Sequence, residues 1–253
     1  MKKTIQNILI LLTIILLWFI FSLNSNPLFL PTPQSVLEDV ITLTKNGMLL
    51  TGIWKSFYRI TIATGISFIL SMLLALLIYS NKIIDRIISP IVDAIRYVPI
   101  TAFYPLLILW VGINEKMKIT FLICATFVYF LPNTVLCLKE IDKRLIETGL
   151  TMGMTKFQIL TQIVLPYSAP LIFKTLLLSC SIGWNYIVIA EMANAIGGLG
   201  YIINIGSARG RTDMVFMSLI IIIIINWIID YFGNKLLNKL FTWKYLKNEG
   251  SNE

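Results

Sequence analysis

Across 253 residues the chain is 57% hydrophobic and only 13% charged, with a mean hydropathy of +0.81. A soluble domain carries about 25% charged residues, so the composition excludes an ordinary soluble fold and indicates a chain lying mostly in lipid. The net charge of +8 is spread between apolar runs rather than gathered in a basic domain, which points to membrane topology and away from nucleic acid.

The N-terminal stretch MKKTIQNILILLTIILLWFIFSLNSNPLFLP couples a basic start to an apolar run at Ile8–Leu23. The run carries bulky residues and no small-x-small cleavage site, so it is expected to be a retained first span and not a secretory signal. A Pro-rich extended stretch follows. From Ser35 the spacing becomes helical, with Val36, Leu37, Val40, Ile41 and Leu43 to one side, predicting an interfacial helix. Five further spans are predicted at approximately 57–80, 97–113, 119–138, 169–190 and 214–232, each near the ~20 residues a bilayer-crossing helix needs. The third contains Pro99 and Pro105 and the fourth Pro132, positions where kinks are expected. The expected architecture is all-α, a single transmembrane domain over residues 1–253 with about six spans.

Polar groups inside spans are functional candidates. Arg96 opens the third run, where it serves either an anion path or, by snorkelling, the membrane interface. In the fifth run, LLLSCSIGWNYIVIAEMANAIGG, the residues Ser181, Trp184 and Asn185 share a helical face and are candidates for a translocation path. Helix–helix packing is the competing role for Ser179 and Ser181. Glu191, toward the outer end, is read as an interfacial carboxylate paired with Arg209 or Arg211. GGLGY, from Gly197, is too short and wrongly placed for a nucleotide loop and reads as a tight outer turn.

Of the 21 Lys and Arg residues, twelve fall on one side of a six-span topology, seven on the other, and Arg96 and Lys174 near helix ends. The majority side is cytoplasmic, which places both termini in the cytoplasm and the stretch ETGLTMGMTKFQILTQIVLP, Glu147 to Pro166, there as well. Ile146, Leu150, Met154, Phe157, Leu160 and Val164 recur at spacings of three and four, opposite a polar stripe of Glu147, Thr151, Thr155, Gln158 and Gln162. Gly153 permits a bend midway and Leu165-Pro166 is expected to end the helix. Two short helices meeting near Gly153 are predicted. Their roles are a helix on the membrane surface or a helix that docks a partner; the polar stripe is mostly neutral, unlike the Lys- and Arg-rich face of most surface helices.

The order Glu147, Gly153, Ile163, Leu165-Pro166 resembles the motif E-A-A-x3-G-x9-I-x-L-P of the membrane subunits of binding-protein-dependent ABC importers, with Thr148 and Gly149 in place of the alanines. LPTPQSVL, SFYRITIATGISF, PLLILWVGINEKMKI, GWNYIVIAEM and GGLGYII resemble the nitrate, sulfonate and taurine branch. The resemblance covers nearly the whole chain, about Leu30 to Trp243. It implies the type I importer permease fold, with a coupling helix that lodges in a cleft of an ATPase. Glu147 and Gly153 would shape the turn, Gly149 in place of an alanine is expected to loosen its first part, and Met152, Gly153, Met154, Thr155, Lys156 and Phe157 would lie at the contact, closed by Leu165 and Pro166. It further implies a homodimer in the bacterial plasma membrane, two ATP-binding subunits and an extracytoplasmic substrate-binding protein. The cargo would be a small anion such as a sulfonate, taurine or nitrate, with a vitamin precursor as the alternative.

The chain itself contains no G-x4-G-K-[ST] loop, so ATP is expected to be used by the partner, with no cofactor on this chain and no enzymatic role. It has no histidine, and its three cysteines lie in apolar runs at no metal-ligand spacing. A gradient-driven secondary transporter would need carboxylates near the bilayer midplane, and no predicted span core holds one.

Overall fold

The structure, a computed structural model, describes residues 2–192 and 196–243. Among these residues it is all-helical, with eleven α-helices and one π turn: α1 Lys2–Leu23, α2 Pro33–Lys45, α3 Met48–Ser80, α4 Lys82–Ile95, α5 Ile100–Val111, α6 Glu115–Lys139, α7 Lys143–Thr151, α8 Lys156–Ile159, the π turn Leu160–Val164, α9 Leu165–Met192, α10 Leu199–Ala208 and α11 Thr212–Leu240. Lys244 and Lys247, two of the charges used for the topology, lie outside the described residues.

Among the described residues four segments are long and apolar enough to cross a bilayer: Met48–Ser80, Glu115–Lys139, Lys156–Met192 and Thr212–Leu240. The apolar stretch of α1, Leu9–Leu23, is shorter. The span expected at 97–113 takes a different form. Its helix α5 has 12 residues and rises only about 18 Å, against a hydrocarbon core of about 30 Å. Joined to α4 it would be long and apolar enough to cross, but the two are bent by 98°. The cause is local: Val98 precedes a proline, which disfavours helix there, and Pro99 sits extended at φ −73°, ψ 90° as the N-cap of α5.

The chain divides into two compact units, one of Met1–Tyr58 with Ile187–Ile225 and the other of Arg59–Tyr186 with Asn226–Glu253. In the first, α2 begins at Thr32, whose side chain accepts from the Ser35 N–H, with Pro33 at the first helical position. Its buried residues are Val36, Asp39 and Leu43, whereas Leu37 and Ile41 are exposed. The expected apolar side is therefore split in two. Trp18 of α1 donates through Nε1 to the Pro31 carbonyl at 3.0 Å and stacks on Phe216 of α11 at 6.1 Å.

The second unit is built on a core of α3, α6 and α9 that includes Ala75, Ile78, Phe130, Leu131, Leu138 and Ile172. Hydroxyls tie these helices: Ser67 and Thr126 lie 2.6 Å apart, and Ser168 donates to the Cys137 carbonyl at 2.9 Å. Where lipid offers no partner, such groups must find one inside the protein. Asn133 donates to the Tyr129 carbonyl at 2.8 Å, beside the Val128 carbonyl that Pro132 leaves without its helical donor. At one end of this unit Glu115 receives a bidentate pair of bonds from Arg59, each 2.7 Å, and a third from Lys118 at 2.7 Å. The guanidinium and the ammonium are buried while the carboxylate is half-exposed, so the pair stays at a polar edge rather than deep in lipid.

Gly183 lets α9 pack close against α3 and α6. A Cβ there would lie 3.2 Å from Ile60 Cγ2 and 3.4 Å from Thr126 Cγ2. Gly183→Val should overpack this crossing and cost about 1–3 kcal/mol, read as a lower Tm in detergent.

Candidate coupling loop and polar residues of the spans

The loop between α6 and α9 is made of two helical pieces and a glycine turn. Asp142 caps α7, its Oδ1 accepting from the Arg144 N–H at 3.0 Å. α7 ends at Thr151, and Gly153 follows at φ 80°. The Met154 N–H donates to the Gly149 carbonyl and the Gly153 N–H to the Leu150 carbonyl, both at 3.0 Å. These are the two bonds of a Schellman termination, with glycine in the left-handed position. The bend predicted at Gly153 is present. The closing bonds run through the backbone, and Glu147 stands exposed on α7 before them.

Gly149 has a packing role, not the looseness its lack of a side chain would confer. It is buried, and a Cβ there would lie 2.8 Å from Ile163 Cδ1, 3.3 Å from Met154 Sδ and 3.4 Å from Ile159 Cγ1. The isoleucine of the motif thus rests on the glycine. After the turn a capping box starts α8: the Gln158 N–H donates to Thr155 Oγ1 at 3.3 Å and the Thr155 N–H to Gln158 Oε1 at 2.8 Å. The signature T-x-x-Q is readable in the sequence and was the signal available for this start.

Two expectations need correction here. First, Leu165-Pro166 does not end the helix: Lys156–Met192 runs on as one helical segment. The accommodation is the π turn Leu160–Val164, after which the Leu165 N–H bonds to the Leu160 carbonyl, five residues back. Widening the turn just ahead of Pro166 makes room for the ring and for the N–H it lacks. Second, the apolar stripe does not stay on one face. Ile146, Met154, Leu160 and Ile163 pack on the core of α3, α6 and α9, and Ile159 and Val164 belong to it. Leu150, Met152 and Phe157, by contrast, are 54%, 77% and 73% exposed. The left-handed turn breaks the 100° per residue progression on which the stripe was drawn. The loop therefore presents three large apolar side chains outward on a rigidly held base, with Thr155 and Lys156 exposed beside them. Lys139, at the end of α6, bonds Asp85 at 2.5 Å and Ser89 at 3.2 Å on α4, fixing the helix that leads into the loop.

The polar residues singled out in the spans have different surroundings. Trp184 is fully buried and Ser181 partly so, while Asn185 is exposed. Arg96 ends α4, its Nη2 3.8 Å from Asp93 Oδ1. Glu191 is not an interfacial partner of Arg211. It is completely buried and accepts from Ser56 Oγ at 2.9 Å and from the Gly200 N–H at 2.8 Å. Arg211 instead bonds Asp39 and Asp213. Burial pushes the Asp39 carboxyl above the ordinary carboxylate value against the pull of that guanidinium. Sequence reasoning placed Glu191 by its distance from the end of an apolar run, and no periodic signal shows that the chain folds back over it.

Residues 67–240 match the family model described as binding-protein-dependent transport system inner membrane component. The chain is 28% identical over 246 residues to the taurine transport system permease protein TauC of Escherichia coli (strain K12), covering 95% of this chain and 89% of that one. It is 28% identical over 215 residues to the putative aliphatic sulfonates transport permease protein SsuC of Bacillus subtilis (strain 168), covering 85% and 78%. In fold it resembles a chain of the MetNI methionine ABC transporter in an inward-facing conformation, with a TM-score of 0.67, 22% identity, and coverage of 76% of this chain and 95% of that chain.

The capping box gives a local test. Thr155→Ala should destabilise α8 by about 1 kcal/mol, seen as faster hydrogen exchange at the Gln158 and Ile159 amides while the amides of α6 keep their protection.

Proposed function

The chain belongs to the binding-protein-dependent transport system inner membrane components, the permeases of ABC importers, and from that premise we propose that it carries a small organic sulfonate such as taurine into a bacterial cell. The taurine and aliphatic sulfonate transport permeases among its relatives support this substrate class. Two copies of the chain form the path. Two separate ATP-binding subunits supply the energy, and an external binding protein delivers the substrate. Both termini and the Gly153 loop face the cytoplasm.

The observation that carries the ATPase-docking role is the outward display of Leu150, Met152 and Phe157 around the Schellman turn. Large exposed apolar side chains on a loop are costly in water and mark contact sites, and the same loop is anchored from behind by Ile159 and Val164. An element that is rigid at its base and apolar at its tip transmits displacement without absorbing it. Closure of the ATPases moves the paired loops, and through the helix beginning at Lys156 the loops tilt the membrane segment. Glu147, Gly149, Gly153, Met154, Thr155, Leu165 and Pro166 set the loop's shape, and Met152, Lys156 and Phe157 meet the partner. Arg96, Ser181, Trp184 and Asn185 belong to the path or to its supporting shell, with Asn185 the most accessible of the fifth-span trio.

Phe157→Asp is the direct test, because the side chain is exposed and its replacement leaves the core untouched. An interface anchor of this kind is worth about 2 kcal/mol or more, so recovery of the ATPase with the detergent-solubilised variant should fall roughly thirtyfold while the amount of permease in the membrane is unchanged. Equal recovery with parent and variant would remove the docking role. Uptake of taurine and of longer alkanesulfonates into proteoliposomes holding the complete complex then checks the substrate class, and no ATP-dependent accumulation of either would sink it.

A further inference from the structure

Helix α10 starts without a cap of its own. Its N-cap position is Gly198, which has no side chain to offer, and the first N–H groups of any helix lack partners within it. They are satisfied from two other helices. The Leu199 N–H donates to Ser56 Oγ of α3 at 2.9 Å, and the Gly200 N–H donates to Glu191 Oε2 of α9 at 2.8 Å. The Ser56 hydroxyl lies 2.9 Å from each carboxylate oxygen. A single buried carboxylate therefore joins the ends of α3, α9 and α10, at a helix N-terminus where negative charge is favoured.

The surrounding glycines are shaped to that carboxylate. A Cβ on Gly198 would collide with it, and one on Gly200 would lie 2.7 Å from Glu191 Cβ and 2.9 Å from the Val188 carbonyl oxygen. Gly197 and Gly198 adopt φ of 86° and 128°, which side chains rarely allow. Gly52 lets α3 come close too, since a Cβ there would be 3.4 Å from the Gly198 carbonyl oxygen. On the surface, Lys55 Nζ donates to the Ile196 carbonyl at 2.6 Å. Gly197 to Gly200 thus form a carboxylate cradle whose ligand is the protein's own Glu191.

We propose that this corner is a latch of the transport cycle and that Glu191 is its positioning residue. A corner held only by apolar packing would need a leucine or methionine in this place. A carboxylate holds by directional bonds that water replaces as soon as the corner opens, which gives the corner two discrete arrangements. The closed arrangement keeps the end of α9 and the start of α10 together in the resting transporter, and docking of the external binding protein releases them. Glu191 stands one residue from the end of the helical segment Lys156–Met192, whose other end is the coupling loop, so release at this corner frees that segment to move with the ATPases. The inference rests on the importer reading above.

The test measures ATP hydrolysis by the complete complex in lipid nanodiscs, with and without the taurine-loaded binding protein. Glu191→Gln keeps the size of the side chain but replaces one of its two acceptor oxygens with an amide donor. The closed state should lose population, so hydrolysis without the binding protein should rise about five- to tenfold, and stimulation by the binding protein should fall correspondingly. Ser56→Ala, which removes the hydroxyl and spares the carboxylate, should act in the same direction, and the double variant should exceed Glu191→Gln only slightly because the two act on one bond network. A merely structural role predicts the reverse: both variants would lower hydrolysis with and without the binding protein. That result, or variants indistinguishable from the parent, overturns the latch. A parent complex that the taurine-loaded binding protein does not stimulate overturns instead the sulfonate-importer reading on which the latch rests.

Discussion

A bilayer offers no hydrogen-bond partner to a backbone amide, so a chain that leaves the helix within or beside lipid must satisfy those amides from its own resources. Three places among the described residues show how that is done. At Gly153 the Met154 and Gly153 N–H groups turn back onto α7. Before Pro166 the ladder steps to a five-residue spacing and continues. At Gly198 the open end of α10 takes its acceptors from Ser56 and Glu191. Helix serves as the default state, and the exceptions are where the loop, the π turn and the corner lie.

The loop between α6 and α9 combines a packed base with an exposed tip. Its base is part of the same core as α3 and α6, through Ile159 and Val164, and Gly149 lets Ile163 settle close against α7. Its tip carries Leu150, Met152 and Phe157 outward. The π turn ahead of Pro166 keeps the helix continuous from Lys156 to Met192.

Much of this was legible from residue types and spacing. The apolar runs, the glycine bend and the family resemblance of Glu147, Gly153, Ile163 and Leu165-Pro166 all correspond to local rules: burial of apolar runs in lipid, the left-handed conformation that favours glycine, and fixed offsets in a motif. Where a local rule met a tertiary contact, the contact prevailed. Phe157 and Leu150 fit an inward stripe only if the helix runs unbroken through Gly153. Proline ends a helix only where no wider turn absorbs it. Asp39 sits on the buried side of α2 beside Val36 and Leu43 because Arg211 meets it there.

The amino-acid sequence by itself determined that this is a helical membrane protein with a glycine-bent loop of the importer type, because hydrophobic length, charge asymmetry and motif spacing are properties of consecutive residues. Only the tertiary structure decided that Glu191 is buried, that GGLG is its cradle, and that Trp184 and Asn185 part company on one helix. Those facts depend on which distant segments meet: Ser56 and Glu191 are 135 residues apart, and no period in a single stretch of chain encodes a contact between two stretches.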